Sequence, residues 1–151
     1  MSVILSIIPS IIEDLYCEAI LLSREVRRTF VLPSANAMPT QVNVHTKALS
    51  SEALQATTRM LHATAWILNR RAFLRGELTG PQLRSCGRLP QDSSSQASTE
   101  VELVPEVRRV VQATEQFYAR VARLELAWSQ PAFGLPSTVS WLQEQAQNVA
   151  R

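Results

Sequence analysis

A chain of 151 residues, 46% hydrophobic and 19% charged, has the size and composition of one globular domain with a real core, not of a disordered polymer. A formal net charge of +2 is too small to imply nucleic-acid binding by charge alone. Two cysteines make neither a disulfide framework nor a metal site. Four glycines and the lack of alternating strand patterns point to an all-α chain.

Met1 to Ile12 is apolar, but its first arginine is Arg24, and Pro9, Glu13 and Asp14 interrupt it. It reads as neither a signal peptide nor a membrane span, and the expected location is the cytoplasm. A first helix is predicted from Ser10, where Ser10 and Glu13 form a capping box. Ile11, Leu15, Ala19, Leu22, Val26 and Phe30 draw its apolar stripe, widened by Ile12, Tyr16 and Ile20. Cys17 reads as a small buried hydrophobe. Arg24, Arg27 and Arg28 suit the last turns, and Pro33 ends the helix.

Ser34 to Lys47 reads as a loop, and a second helix is predicted from Ser50 to Gly76, with the glycine as C-terminal cap. Leu54, Thr58, Leu61, Ala65, Leu68 and Ala72 alternate spacings of four and three, a heptad seam suited to helix packing. That seam is expected to build the core. Arg59, Met60, Trp66, Ile67 and Phe73 lie off it, and an apolar helix face left over after packing favours a homodimer.

Leu78 to Leu89 reads as a connector with one short helical turn after Pro81, and Cys86 falls in it. Gln91 to Thr99 reads as a mobile polar stretch. A third helix is predicted from Leu103, with Pro105 in its first turn. Val107, Val111, Thr114, Tyr118, Val121, Leu124 or Glu125, and Trp128 form its inner face, broadened by Val110 and Phe117. After the turn Phe133-Gly134-Leu135-Pro136, Ser137 caps a short amphipathic segment with Trp141, Leu142 and Val149, which needs a surface to dock on. The expected architecture is an antiparallel three-helix bundle over residues 10–128, with a tail over 129–151.

No reaction centre is visible. His45 and His62 stand in different elements without a partner at metal-ligand spacing. Gly76 and Gly80 match no phosphate loop, no G-x-S-x-G occurs, and Glu13, Asp14, Glu100 and Glu102 read as helix-start electrostatics. The chain is therefore read as a non-enzyme that takes no cofactor and no metal. Every basic residue but Lys47 is an arginine. Arg59, Arg70, Arg71 and Arg75 on the second helix, with Arg108, Arg109, Arg120 and Arg123 on the third, form either solvated faces or a basic surface for an acidic partner. No helix-turn-helix arrangement is present. Trp66 has two open readings: a core filler, or an interface anchor beside Arg59 and His62. The candidate protein-contact residues are Arg59, His62, Trp66, Arg70, Arg120, Arg123 and, in the tail, Trp141.

The string Thr57-Thr58-Arg59-Met60-Leu61-His62-Ala63-Thr64-Ala65-Trp66-Ile67-Leu68-Asn69-Arg70-Arg71-Ala72, followed by Gly76-Glu77, resembles the central helix of the RcdA-like proteins of alphaproteobacteria. Leu15-Tyr16-Cys17-Glu18-Ala19 and Phe117-Tyr118-Ala119-Arg120-Val121-Ala122-Arg123-Leu124 resemble that family's first and third helices. The resemblance implies a dimeric three-helix bundle that acts as an adaptor, bringing cell-cycle regulators to the ClpXP protease, with a protease complex and a cargo regulator as partners. Ser2 to Ile8 and the tail Phe133 to Arg151 match no motif of that family. Two other readings stand beside the adaptor: a nucleic-acid-binding regulator that uses the arginine faces, which the mild charge disfavours, and a structural homodimeric subunit.

Overall fold

A computed structural model of the chain describes residues 2–30, 44–92 and 103–129. They form four helices, α1 (Ser2–Thr29), α2 (Val44–Leu74), α3 (Gly80–Cys86) and α4 (Pro105–Ser129), and the fold is all-α. Among the described residues, no helix is long and apolar enough to cross a membrane.

The helices begin and end for local reasons. α1 starts at Ser2 and carries Pro9 within it, so the predicted start at Ser10 falls a few turns late. α2 starts at Val44, ahead of the predicted Ser50. It ends in a Schellman turn. Gly76 adopts φ 77°, the Gly76 N–H donates to the Phe73 carbonyl at 3.0 Å, and the Glu77 N–H donates to the Ala72 carbonyl at 2.9 Å. Only glycine takes that left-handed conformation without steric cost. α3 opens on a capping box between Thr79 and Gln82, with Pro81 in its first turn, where a missing N–H costs nothing.

The three long helices pack pairwise around one core. Ile12, Leu15, Ala19, Leu22 and Val26 of α1 meet Ala56, Met60, Ala63, Trp66 and Ile67 of α2, and Val110, Phe117, Tyr118 and Val121 of α4. The stripes predicted for α1 and α4 are the ones buried. The fully buried alanines Ala19, Ala56 and Ala63 leave room for neighbouring helices to close in.

Direction follows from side-chain pairing. Along α1 and α4 the pairs run Glu18 with Arg120 and Glu25 with Arg109, so these helices are antiparallel. Along α2 and α4 they run Arg59 with Glu115 and Trp66 with Glu125, so these two are parallel. The expected alternation of neighbours thus gives way to α1 running against both α2 and α4. The described part of the connection, residues 75–92, runs back from the end of α2 to the level of Arg59.

The heptad seam of α2 is the larger correction. Leu54 is 69% exposed, Leu61 66% and Leu68 43%. Thr58 and Ala65 are exposed as well. The seam expected to build the core faces outward, and the set expected to face a partner is the core. α2 carries apolar residues on two opposite faces, and spacing does not rank them. Side-chain size does. Met60, Trp66, Ile67 and Phe73 offer more apolar area than Leu54, Leu61 and Leu68 interleaved with Thr58 and Ala65, and the larger area goes inside. Cys17, expected inside, is exposed too.

Two alanines two positions apart, Ala63 and Ala65, test this orientation. Ala63→Leu should overpack the core and cost about 1–3 kcal/mol, whereas Ala65→Leu should change the stability of the dilute monomer by under about 0.5 kcal/mol. Urea denaturation of both variants measures the difference, and the opposite order would turn the helix around.

Candidate functional site

Arg59 is the centre of the polar structure. Its side chain projects from the inward face of α2 and the residue is 2% exposed. The Nε donates to Asp92 Oδ2 at 3.0 Å, one terminal nitrogen to Thr114 Oγ1 at 3.4 Å, and the other to Glu115 Oε1 at 3.3 Å. A buried guanidinium is tolerated only with such partners. Thr114, itself fully buried, donates its own hydroxyl to the Val111 carbonyl at 2.7 Å. Glu52 stands at the edge of this cluster. Burial raises its carboxyl above the ordinary value, the Arg59 charge opposes that shift, and Glu115 reinforces it.

About two turns further along α2, Trp66 stacks on Trp128 of α4, with ring centroids 5.7 Å apart and an interplanar angle of 23°. Its indole N–H donates to Glu125 Oε1 at 3.3 Å. The Arg70 guanidinium lies 5.0 Å from the centre of the Trp66 ring, a cation–π contact. Burial lowers the Arg70 pKa, and the neighbouring Glu125 opposes that shift.

Between these two clusters passes the connector. Residues 87–92 have no regular structure, yet they are tied at three points. The Leu89 N–H donates to Glu125 Oε1 at 2.9 Å, the Tyr118 hydroxyl donates to the Pro90 carbonyl, and Asp92 accepts from Arg59. Burial raises the Tyr118 pKa, with Asp92 and Glu125 adding to the effect, so the phenol stays protonated and remains a donor. Asn69 holds the start of this segment, its amide donating to the Cys86 carbonyl at 3.1 Å. The sequence reading placed Gln91 and Asp92 in a mobile stretch. They are described, and Asp92 is anchored. The rest of that stretch, residues 93–99, lies outside the described residues.

The predicted contact residues separate. Arg59 and Trp66 are buried and serve the interior, which removes their role as surface contacts. They were assigned outward because the exposed seam was assigned inward. Arg70 is half-buried against Trp66 and does not stand free. His62 lies half-buried on the flank of α2. Arg120 pairs with Glu18 and lies 5.3 Å from the Phe117 ring centre. Arg123 is exposed and lines a shallow depression between α1 and α4 with Leu21 and Phe117. Trp141 lies outside the described residues. The structure therefore brings Arg59, Trp66 and Arg70 onto one polar ladder, on a different side of the molecule from Arg120 and Arg123.

The sequence does not single out Asp92, Glu115 or Pro90, and it places Glu125 and Tyr118 on the inner face without their roles. One signal was available: an arginine spaced with Met60, Ala63, Trp66 and Ile67 on a single face demands a buried acid. Which acid it finds depends on the path of the connector, which no local pattern records.

The helices carry other arginine–carboxylate pairs. Glu13 meets Arg71 at 2.7 Å and Arg75 at 4.0 Å, and Glu25 meets Arg109 at 3.0 Å. Such exposed pairs contribute little stability each, but they neutralise the arginines involved. Among the described residues, no three His, Cys, Asp or Glu side chains converge in a metal-binding arrangement.

The pattern of the family described as "Protein of unknown function (DUF1465)" matches residues 6–150. No curated protein and no solved structure matches the chain.

Trp66→Ala should lower the unfolding free energy by about 3–5 kcal/mol, the cost of emptying a large aromatic site. A loss below about 1 kcal/mol in urea titration would contradict its burial. Glu52→Gln tests the charge balance around Arg59. The Glu52 carboxyl is held above its ordinary value of 4.5, so the folded state favours the protonated form and loses stability as pH rises through the range above that value. The variant should therefore melt higher than the wild type at pH 7, and the gain should vanish as pH falls below the carboxylate range. A gain that persists in acid would assign it to packing instead.

Proposed function

We propose that this chain, which belongs to the DUF1465 family, is a non-enzymatic adaptor that works as a dimer, in the manner of the RcdA-like proteins its helices resemble. The observation that carries the reading is the outward face of α2. Leu54, Leu61 and Leu68 recur at heptad spacing on it and are 69%, 66% and 43% exposed. Thr58 and Ala65 lie between them as small residues. Large and small side chains alternating along one stripe are what a second helix interdigitates with.

The flanks of that stripe support a second copy as its occupant. Gln55, His62 and Asn69 line one side and Thr57 and Thr64 the other. None is an acid, a lysine or an arginine, so this face carries no charge of its own from Leu54 to Asn69 to repel its copy, the nearest cations of the stripe being Lys47 and Arg75 at its ends. A two-fold axis near Leu61 brings Leu54 of one copy opposite Leu68 of the other, a self-complementary interface.

The adaptor role itself is tethering. Holding a cargo regulator beside a protease raises its effective concentration and needs no chemistry of the adaptor's own. The nucleic-acid reading is weaker. Arg59, Arg71, Arg75, Arg109 and Arg120 are engaged with carboxylates of the same chain, which removes them from a basic face.

The test joins Leu54→Ser, Leu61→Ser and Leu68→Ser in one variant. Sedimentation should give a dimer for the wild type and a monomer for the variant, with the helical circular dichroism signal unchanged. In a reconstituted ClpXP reaction with a cell-cycle regulator as cargo, the wild type should speed degradation several-fold and the variant should not. A wild type that is monomeric at all concentrations overturns the dimer. A dimer that neither binds the protease nor alters cargo turnover overturns the adaptor role.

A further inference from the structure

Residues 87–92 occupy the groove between α2 and α4 in the way a bound peptide would. The groove supplies three side-chain groups. Glu125 accepts from the Leu89 N–H at 2.9 Å, the Tyr118 hydroxyl donates to the Pro90 carbonyl, and Arg59 donates to the Asp92 carboxylate at 3.0 Å. Two of these contacts read main-chain atoms, which any peptide offers. The third reads an acid, and Leu89 adds an apolar side chain packed against the core. Pro90 follows Leu89 and brings no N–H that would need a partner in the groove.

The groove is also built to outlast the departure of this segment. Glu125 Oε1 accepts from the Trp66 indole as well, at 3.3 Å. Arg59 keeps Thr114 at 3.4 Å and Glu115 at 3.3 Å. Two of the three groups that hold the segment thus have second partners within the helices themselves, and the third is a hydroxyl that water satisfies. Releasing residues 87–92 leaves no buried charge unpaired, which is the main barrier to opening a polar site.

We propose that the α2–α4 groove is a peptide-recognition site that the chain occupies in cis. Its trans ligand is a protein segment with an apolar residue followed three positions later by Asp or Glu, as in Leu89-Pro90-Gln91-Asp92. The cis segment competes at an effective concentration on the order of millimolar, set by its tether, so it acts as a built-in inhibitor of that site. This surface is distinct from the outward α2 face and does not depend on the dimer or protease reading.

The experiment uses the full chain and a fluorescein-labelled peptide of the sequence Arg88 to Asp92, read by anisotropy. In a Leu89→Gly, Asp92→Ala variant the cis segment is weakened and the groove is intact. The peptide should bind this variant at least tenfold tighter than the wild type. Replacing the aspartate of the peptide by alanine, or adding Tyr118→Phe to the variant, should each weaken binding about tenfold. Equal affinity for both proteins, or indifference to the peptide's acid, overturns the proposal. Hydrogen exchange on the wild type gives a reading that requires no substitution. The Leu89 amide should exchange at least a hundredfold faster than the amides of Val110 and Val121, through a local opening. Exchange of Leu89 only at the rate of global unfolding overturns the proposal even if the variant does not fold.

Discussion

Arg59 is 2% exposed, so its guanidinium has to find its acceptors inside the protein. An ionised group removed from water costs several kcal/mol unless it is paired and hydrogen-bonded. The acceptors come from two places: Thr114 and Glu115 on α4, and Asp92 in the connector. These contacts tie α4 beside α2 and hold residues 87–92 between them. α2 and α4 run parallel, and the described part of the connection comes back from the end of α2 to the level of Arg59.

The second constraint is that α2 is apolar on two opposite sides. One side packs through Met60, Ala63, Trp66 and Ile67. The other leaves Leu54, Leu61 and Leu68 in contact with water. Single exposed leucines are ordinary on a protein surface, but three at heptad spacing on one helix form a stripe, and a stripe has the shape of an interface. The helix is thus a core element and a presenting element at once. This is why its overall pattern looks too hydrophobic for a surface helix while its sequence lacks the uniform bulk of a central one.

The sequence made helix identity and two of the three buried faces legible. The stripes of α1 and α4 have one apolar side each, so Leu15, Ala19, Leu22 and Val26, and likewise Val107, Val111, Tyr118 and Val121, could be placed inside from spacing alone. Spacing alone does not orient α2, because both of its faces satisfy it, and only the volumes of Trp66, Ile67 and Phe73 distinguish them. The ambiguity spreads directly to the site. Once Leu61 is assigned inward, Arg59 and Trp66 have to point outward. The starts of α1 and α2 fall earlier than the sequence suggests because Pro9 and the polar run around Ser50 look like boundaries; α1 nonetheless continues through Pro9, at the cost of the hydrogen bond its missing N–H cannot make. The anchoring of Asp92 depends on a contact between residues 33 positions apart in the chain, and the direction of α4 on contacts 56 and 59 positions apart, which no local pattern encodes.

Apolar contacts and polar ties divide the work between them. Burial of Trp66, Ile67, Phe117 and Val121 supplies the driving force, but it is non-directional and sets no register for a segment without regular structure. The hydrogen bonds from Arg59, Tyr118 and to Glu125 are directional, and each fixes one atom of residues 89–92 against one level of the groove. An apolar residue at position 59 could fill the same space, since a buried ion pair is often matched in stability by well-packed hydrophobic side chains. It would remove the tie at Asp92 and leave those at Leu89 and Pro90. The charged group at this position is best understood as one of three directional contacts that together give the returning chain its path.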